Sequence, residues 1–460
     1  MMDLFFKPRS VAVVGASSNP KKDGNIILQN IINSDFSGDI YPINPGADEV
    51  LGLKAYPSVK DVPGDVDLAV FIIPAKFCVD AMKACGEKGV KAVIIEAMGF
   101  AEVGGEGTEL QRQIVEIAKE KNIRVIGPNC SGIVSRDITT SFFPFKDVPR
   151  GNAVLIGQSG LLAAGMSSDL VVNKSLAINK VCSIGNKCDV NENDLLEYFG
   201  DDPQTEVISM YLESIADGAR FVPIAKRVAA KKPVIFLKGG RTEAGARAAQ
   251  SHTGSMASDT KIVEAAIKQA GLIQAEDFTD IKDWAKVFST QPIPKGNRVA
   301  IVTAAGSVGV VVSDICAEHG LEMPKLTDMT VERLKDVFPP NMPPANPVDL
   351  WYSIEKLGLV KTLETTLAAP LEDPDIDAAV LILAGMSYTM PVLDEKTVQK
   401  ITAKYQKPVI ICMLVGYNEY KNRIMEELGR DLPVFTSIRS GVLALSKLCK
   451  YGMQRNKNAG

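Results

Sequence analysis

The sequence predicts an α/β protein with mainly parallel sheets, folded as three doubly wound domains. Short continuous apolar runs alternate with helical patterns along the whole chain, which is typical of parallel strands that are buried on both faces and joined by helices. Several of these runs end in turns of small or polar residues that open a helix. The 460 residues, 46% of them apolar, suffice for about three such domains. We place them at residues 1–149, 150–290 and 291–460, each with a Rossmann- or flavodoxin-like plan.

Composition excludes several classes of function. The formal net charge is only −4, so no polybasic surface points to nucleic acid or to a membrane. No apolar run reaches transmembrane length. The eight cysteines form no CxxC pair and the chain has only two histidines, so we expect neither a metal site nor a disulfide framework. These features together predict a cytoplasmic protein.

The first region has five candidate strands, and its first turn favours a ligand with phosphate groups. The strands are Val11–Val14, Ile40–Ile43, Leu68–Ile73, Ala92–Ile95 and Arg124–Ile126. The turn Gly15–Gly24 opens a helix, and its small residues, hydroxyls and Lys22 suit phosphate. An NAD site would need GxGxxG here and an acid after the second strand, but only Gly15 fits the motif and Asn44 stands at the second strand's end. The alternative is a domain of this fold with an empty crevice.

The second region repeats the plan of strand, small-residue turn and helix. Asn152–Gly157 is a predicted strand, and the turn Gln158-Ser159-Gly160 opens the helix after it, as an anion site requires. A second turn contains Gly185 and Asn186. The strand Val207–Leu212 runs straight into Glu213, whose carboxylate could hold an imidazole in one tautomer. A solvated loop charge or a helix N-terminal acid is an equally good interpretation of Glu213.

His252 is the most suggestive residue of the chain. It follows the predicted strand Val234–Leu237 in a stretch of small residues that we expect to be a loop, with Ser251, Thr253 and Gly254 beside it. A neutral imidazole is a good nucleophile near pH 7 and can carry a phosphoryl group. The alternative is a loop histidine that hydrogen-bonds a neighbour.

The third region begins after the linker Gln291–Gly296. The predicted strand Val299–Val302 leads through a small-residue turn with Gly306 and Ser307 into a helix, which makes a second candidate anion site. His319, near the end of that helix and before a glycine, is more typical of a structural residue. Further predicted strands are Ala379–Leu383, Val409–Met413 and Val434–Phe435.

The segment Glu243–Gly254, which reads EAGARAAQSHTG, resembles the phosphohistidine segment of the nucleoside-diphosphate-forming acyl-CoA synthetases. The similarity covers nearly the whole chain and is strongest to the alpha subunits of the ADP-forming type, which are related to succinyl-CoA synthetase. The resemblance implies that His252 takes the phosphoryl group from an acyl phosphate and that Glu213 is its partner. It also implies the reaction of acyl-CoA, phosphate and ADP to acid, CoA and ATP, with acetate as the default acid.

The resemblance further implies binding sites for coenzyme A and phosphate. The implied CoA contacts are Gly15, Ala16, Ser17, Ser18, Asn19, Pro20, Lys22, Gly24, Asn44, Pro45, Ile73, Pro74, Ala75, Ile95 and Glu96. The implied phosphate contacts are Gln158, Ser159, Gly160, Gly185, Asn186, Gly254, Gly306 and Ser307.

The sequence departs from the family's pattern at three turns, and it lacks one module. Ala305–Gly309 replaces a common Gly-Gly-Pro-Gly, Ser214 replaces a common glycine, and the turn at Ser183 differs. These changes concern the phosphate and acyl pockets. We find no ATP-grasp module, so the resemblance implies a separate beta subunit that binds ADP or ATP and Mg²⁺, in an α2β2 assembly. The alternatives are a CoA-binding acyltransferase-related protein and a regulatory protein without nucleotide chemistry.

Overall fold

The computed structural model describes residues 1–160, 163, 165, 176–253, 260–385, 395–416, 418–429 and 431–459. The chain divides into two compact units. Unit 1 comprises Met1–Val172 and Ala177–Glu276, and unit 2 comprises Asn173–Leu176 and Asp277–Gly460. Among the described residues no helix is long and apolar enough to cross a membrane.

The first sheet of unit 1 is entirely parallel, with strand order β2-β1-β5-β6-β7. The strands are β1 (Ser10–Val14), β2 (Asp39–Ile43), β5 (Leu68–Phe71), β6 (Ala92–Ile95) and β7 (Arg124–Ile126), and β3 (Glu49–Val50) and β4 (Leu53–Lys54) form a separate hairpin. Every residue of β1, β5 and β6 is buried, because helices cover both faces. The helices are α1 (Asp3–Phe6), α2 (Asp23–Asn33), α3 (Ala75–Lys88) and α4 (Glu106–Lys121), with 3₁₀ turns at Val59–Asp61 and Ala101–Val103.

The second sheet of unit 1 has the order β13-β12-β11-β9-β10-β8 and is parallel except for β8. Its strands are β8 (Ile133–Val134), β9 (Arg150–Gly157), β10 (Ile178–Ser183), β11 (Val207–Leu212), β12 (Val234–Lys238) and β13 (Ile273–Gln274). Its helices are α5 (Glu192–Asp201), α6 (Gly218–Ala229), α7 (Glu243–Thr253) and α8 (Thr260–Ala270). A capping box between Asn191 and Asp194 fixes the start of α5.

Unit 2 contains a third parallel sheet, with the order β15-β14-β16-β17-β18. The strands are β14 (Val299–Thr303), β15 (Val348–Asp349), β16 (Ala378–Gly385), β17 (Val409–Gly416) and β18 (Val434–Phe435). The helices are α9 (Phe278–Thr290), α10 (Gly306–Glu318), α11 (Asp328–Lys335), α12 (Trp351–Leu357), α13 (Leu359–Glu372), α14 (Glu395–Tyr405), α15 (Asn418–Leu428) and α16 (Ile438–Ala459).

The predicted fold class is confirmed, and each predicted strand is present within two or three residues of its predicted bounds. The main strand that the sequence analysis missed is β10, whose apolar residues are interrupted by Asn179 and Lys180. Both polar side chains have hydrogen-bond partners, since Asn179 donates to Asp202 and Lys180 donates to Asp137. Polar residues with half-buried carboxylate partners thus conceal a strand whose own residues are all buried.

Two segments near the predicted domain boundaries pack with the neighbouring region. β8 precedes residue 149 but pairs with β10 of the second sheet. The helix α9 ends at residue 290, within the predicted second domain, but belongs to unit 2. There Phe288 packs edge-on against Tyr451, and Lys447 lies over the ring of Trp284. Large aromatic side chains therefore bind α9 to unit 2.

Candidate active site

Four strands of the second sheet end at one level. Gly157 of β9 lies opposite Ser183 of β10 on one side and opposite Tyr211 of β11 on the other, and Leu212 lies opposite Lys238 of β12. The turns after these strands therefore share the carboxyl edge of the sheet, where ligands bind in this class of fold.

A cavity of about 520 Å³ in unit 1 joins this edge to the carboxyl ends of β5 and β6. Its lining residues are Asp23, Ile72, Ile73, Pro74, Glu96, Ala97, Met98, Asn129, Cys130, Phe142, Phe143, Gln158, Ser159, Gly160, Gly185 and Asn186. The predicted CoA residues Ile73, Pro74 and Glu96 thus meet the predicted phosphate residues that follow β9 and β10. A helical turn begins at Gly160, where the Ser159 carbonyl accepts a hydrogen bond of 3.0 Å from the Ala163 N–H.

Glu96 is the most unusual side chain in this cavity. The residue is only 2% exposed, and neither carboxylate oxygen accepts a hydrogen bond of ordinary geometry from a described residue. Burial raises the pKa of Glu96 well above its usual value, the nearby backbone N–H of Phe142 offsets part of this effect, and Asp23 adds to the rise. A carboxyl group in its neutral form can donate a hydrogen bond to a ligand oxygen, which a carboxylate cannot.

Asn186 and Gly185 form another part of the cavity wall. The Asn186 amide donates to Glu102 Oε2 at 2.6 Å and to Gln111 Oε1 at 3.0 Å. Although burial raises the pKa of Glu102, hydrogen bonds from Asn186 and from the backbone N–H groups at residues 99 and 100 lower it overall. Gly185 has a φ of +52°, and a Cβ there would lie 2.2 Å from the Pro128 carbonyl oxygen. Only glycine permits this close approach.

Gln158 fixes the backbone that carries Glu213. Its Oε1 accepts hydrogen bonds from the N–H groups of Glu213 and Ser214 at 2.8 and 3.1 Å, and its Nε2 donates to the Ser214 hydroxyl at 3.4 Å. From the sequence, Gln158 is expected to hold phosphate. The structure shows that its carboxamide is engaged by the loop of Glu213, and a direct contact with phosphate stays a prediction.

Glu213 itself follows β11 as expected and is 6% exposed. The Tyr211 hydroxyl donates to Glu213 Oε1 at 3.1 Å, and burial followed by the charge of Glu213 raises the pKa of Tyr211. Gly239 packs directly against this pair, because a Cβ there would lie 2.7 Å from the Tyr211 hydroxyl and 3.2 Å from Glu213 Cγ. The carboxylate is therefore buried beside the chain that leads to His252.

The backbone of His252 is helical, so the expectation of a loop was wrong. α7 runs from Glu243 to Thr253, and its four alanines are strong helix formers. This helix lies against the 3₁₀ turn Ala101–Val103, which follows the cavity-lining segment after β6. Gly254 lies outside the described residues.

The other predicted CoA residues form a connected surface at the ends of β1 and β2. The Asn44 amide donates to the Ala16 carbonyl at 2.8 Å, and the Asn25 amide donates to the Ser17 carbonyl at the same distance. A Cβ on Gly24 would lie 2.0 Å from the Gly15 carbonyl oxygen, so two glycine backbones touch. Of the turn Gly15–Gly24 only Asp23 is among the described residues that line the 520 Å³ cavity, and Asn44 and Pro45 are not.

The remaining predicted site residues are placed as follows. Ala75 begins α3, and Ile95 ends β6 with its carbonyl accepting from the Cys130 thiol. Gly306 and Ser307 begin α10 in unit 2, as predicted, where Asp349 Oδ2 would lie 2.8 Å from a Cβ on Gly306. Among the described residues no group of three or more His, Cys, Asp or Glu side chains could hold a metal ion.

Part of the cavity wall is formed by residues that were not predicted from the sequence. Phe142 and Phe143, whose rings stack at 4.8 Å, lie there with Asn129 and Cys130. They belong to a long segment without strand or helix periodicity, so no local pattern points to a site. The adjacent aromatic pair, which follows the hydroxyl residues Thr139, Thr140 and Ser141, was the available signal.

Comparisons with known proteins define the class of protein to which this chain belongs. Three family models match consecutive parts of the chain: a CoA binding domain at residues 9–136, a succinyl-CoA ligase like flavodoxin domain at 150–288 and a Ligase-CoA domain at 299–439. Together with the cavity that joins the first two sheets, these domains define a CoA ligase of the succinyl-CoA ligase type.

Individual relatives then identify the family. The chain is 38% identical to the alpha subunit of acetate–CoA ligase [ADP-forming] II of Pyrococcus furiosus, over 100% of this chain and 99% of the relative. It is 37% identical to acetate–CoA ligase [ADP-forming] II of Archaeoglobus fulgidus, over 99% of this chain and 67% of the relative. An acetyl-coenzyme A synthetase structure from Ca. Korarchaeum cryptofilum, in complex with phosphate and ADP, superposes with a TM-score of 0.89 at 36% identity, over 100% and 99% of the two chains. The chain belongs to the ADP-forming acyl-CoA synthetase family, in which it corresponds to the alpha subunit.

Proposed function

We propose that this chain catalyses the acyl and first phosphoryl transfers of an ADP-forming acyl-CoA synthetase, with acetyl-CoA as the substrate. The overall reaction converts acyl-CoA, phosphate and ADP into the acid, CoA and ATP. The observation that carries the proposal is the cavity where Glu96 meets the turn Gln158–Gly160, within the first two CoA-ligase domains. The choice of acetate is supported by relatives that are 37–38% identical and named for it.

The cavity fits the substrates chemically. It combines the helix start at Gly160, a kind of helix end that binds phosphate, with the buried carboxyl group of Glu96. The raised pKa of Glu96 favours its neutral form, in which the carboxyl group can donate a hydrogen bond and does not repel an anion. CoA would extend from here over the turns Gly15–Gly24 and Asn44-Pro45.

The proposed reaction has two steps on this chain. An oxygen of phosphate attacks the thioester carbonyl, the carbon–sulfur bond breaks, and CoA leaves as the thiol after taking up a proton. A ring nitrogen of His252 then attacks the phosphorus of the acyl phosphate, the bond to the acyl oxygen breaks, and the carboxylate leaves. Glu213 would accept a hydrogen bond from the other ring nitrogen and stabilise the phosphorylated imidazole.

We also propose a second subunit of the ATP-grasp type, in an α2β2 assembly, that binds ADP and Mg²⁺ and takes the phosphoryl group from His252. The naming of two relatives as alpha subunits supports a partner, and so does the longer Archaeoglobus chain, of which 67% is matched. A cytoplasmic location is supported by the eight cysteines, which are all free thiols.

The test uses the full-length chain with radiolabelled phosphate and acetyl-CoA. We expect acid-labile, base-stable label on the wild type and none on His252→Asn. A wild type that stays unlabelled, or a labelled His252→Asn, would overturn the proposal. A panel of acyl-CoA thioesters in the same assay tests the choice of acetate, which is wrong if another thioester labels the chain faster.

A further inference from the structure

The loop of Glu213 is fixed through its carbonyl groups as well as through its N–H groups. The Lys238 ammonium donates to the Glu213 carbonyl at 2.7 Å, and the Lys187 ammonium donates to the next carbonyl, that of Ser214, at 2.8 Å. Lys187 is also paired with the buried carboxylate of Glu192 at 3.0 Å. The backbone at Glu213 is therefore held between Gln158 on its N–H side and two lysines on its carbonyl side.

Lys238 differs from Lys187 in the groups to which it is bonded. It is 4% exposed, and its ammonium donates to two neutral backbone carbonyls, those of Glu213 and Gly239. Burial lowers the pKa of Lys238, while the carboxylate of Glu213 opposes that effect. Holding an ammonium group on neutral carbonyls inside a protein carries a desolvation cost.

The two carbonyls belong to the two chain segments that carry the proposed reacting pair. Glu213 itself follows β11, and Gly239 begins the turn between β12 and the helix α7, on which His252 lies. The segments are also in direct contact, since the Gly239 N–H donates to the Leu212 carbonyl at 2.9 Å. One ammonium group therefore bridges the segment of Glu213 and the segment that leads to His252.

We propose that Lys238 is a positioning residue for phosphoryl transfer, which holds the Glu213 loop against the turn leading into the His252 helix. The inference rests on the proposed function, because it assigns a purpose to the pairing of these two residues. In-line transfer requires the imidazole nitrogen to be aligned with the phosphorus and the leaving oxygen, and the carboxylate partner sets that orientation; a displacement of about 1 Å can cost about 100-fold in rate.

The opposite end of the same strand supplies a matched control. Lys232 lies just before β12 and also donates to two backbone carbonyls, those of Phe199 and Asp202, at 3.0 and 2.5 Å. Burial lowers the pKa of Lys232 as well. Lys232→Met and Lys238→Met therefore remove the same kind of interaction, but only Lys238→Met does so beside Glu213.

The experiment measures the rate of phosphohistidine formation from acetyl-CoA and radiolabelled phosphate, per molecule able to bind CoA, together with the thermal midpoint. We expect both variants to lower the midpoint, Lys238→Met to slow labelling about 100-fold, and Lys232→Met to stay within about twofold of the wild type. Normalising by CoA binding removes the contribution of unfolded protein.

The outcomes separate this inference from the proposed function. If the wild type is labelled, His252→Asn is not, and Lys238→Met is labelled at the wild-type rate, the positioning role is wrong and the proposed function stands. Equal slowing by Lys232→Met and Lys238→Met would also overturn the role, because it would show a general structural effect. An unlabelled wild type or a labelled His252→Asn would overturn the proposed function itself.

Discussion

The carboxamide oxygen of Gln158 lies 2.8 Å from the backbone nitrogen of Glu213 and accepts its hydrogen bond. One side chain at the end of β9 thus sets the position of the residue after β11, on the neighbouring strand. The same oxygen also binds the N–H of Ser214 at 3.1 Å. The cavity wall at Gln158 and the loop of Glu213 are consequently one hydrogen-bonded structure.

Replacing Gln158 by leucine is expected to destabilise the protein and to slow phosphohistidine formation. The substitution leaves two backbone N–H groups without their acceptor, at a cost of about 1–3 kcal/mol for each that stays buried. Denaturant unfolding checks the first effect and the labelling assay checks the second. Gln158→Glu is the control, because it retains an acceptor oxygen and should stay nearer to the wild type in stability. Equal stability of all three proteins would contradict this account of Gln158.

Glu213→Gln is expected to lower the rate of phosphohistidine formation about 100-fold with little change in thermal midpoint. The amide keeps the shape of the side chain but loses the negative charge that would stabilise the phosphorylated imidazole. Glu197→Gln, at an exposed carboxylate that pairs with Arg227, is the control and should label normally. Unchanged labelling of Glu213→Gln would assign Glu213 a purely structural role.

Gly185→Ala is expected to cost about 3 kcal/mol or more in unfolding free energy and to disturb the cavity. Its φ of +52° is left-handed, and the new Cβ would lie 2.2 and 2.3 Å from the carbonyl oxygens of Pro128 and Asn129. Gly271→Ala is the matched control, because Gly271 has a φ of +74° but nothing within 4 Å of an added Cβ. It should show only the left-handed strain, about 1–2 kcal/mol. A similar loss in both variants would refute the steric argument.

Glu96 is expected to remain protonated at neutral pH, because burial raises its pKa well above the usual value. Infrared difference spectra between wild type and Glu96→Gln should show the carbonyl stretch of a carboxylic acid at pH 7, and this band should disappear as the pH rises through the folded-state pKa. A carboxylate band at pH 7 would contradict the prediction.

The raised pKa of Glu96 also makes the stability of the protein depend on pH. Protonation of Glu96 favours the folded state fully below the unfolded pKa of about 4.3, and this contribution is lost as the pH rises through the folded-state pKa. The side chain of the Glu96→Gln variant cannot ionise. Its thermal midpoint should therefore rise relative to that of the wild type as the pH increases from about 5 to 9. Midpoints that run parallel over this range would show that the carboxyl group is ionised in both states.

The strands and their turns could be predicted because they follow from local chemistry. Runs such as Val11–Val14 and Val207–Leu212 are too apolar to lie anywhere but in a buried sheet, and both strands are present. Glu213 could be placed because it directly follows such a run. β10 and the helical state of His252 escaped prediction for opposite reasons. Polar residues inside β10 are satisfied by distant partners, and small residues around His252 suit both a loop and a helix.

The sequence by itself determined the class of fold, the family and the residues at which chemistry is expected, because periodicity, turn composition and the segment around His252 are local properties. The tertiary structure decided which of those residues meet. Strand register brings Gln158 and Glu213 into hydrogen-bond contact, packing removes the carboxyl group of Glu96 from water, and Lys238 bonds to the segments that carry Glu213 and lead to His252. Such relationships depend on distances between residues that are far apart in the chain, and burial and pairing, which set charge states and positions, exist only once the sheets are formed.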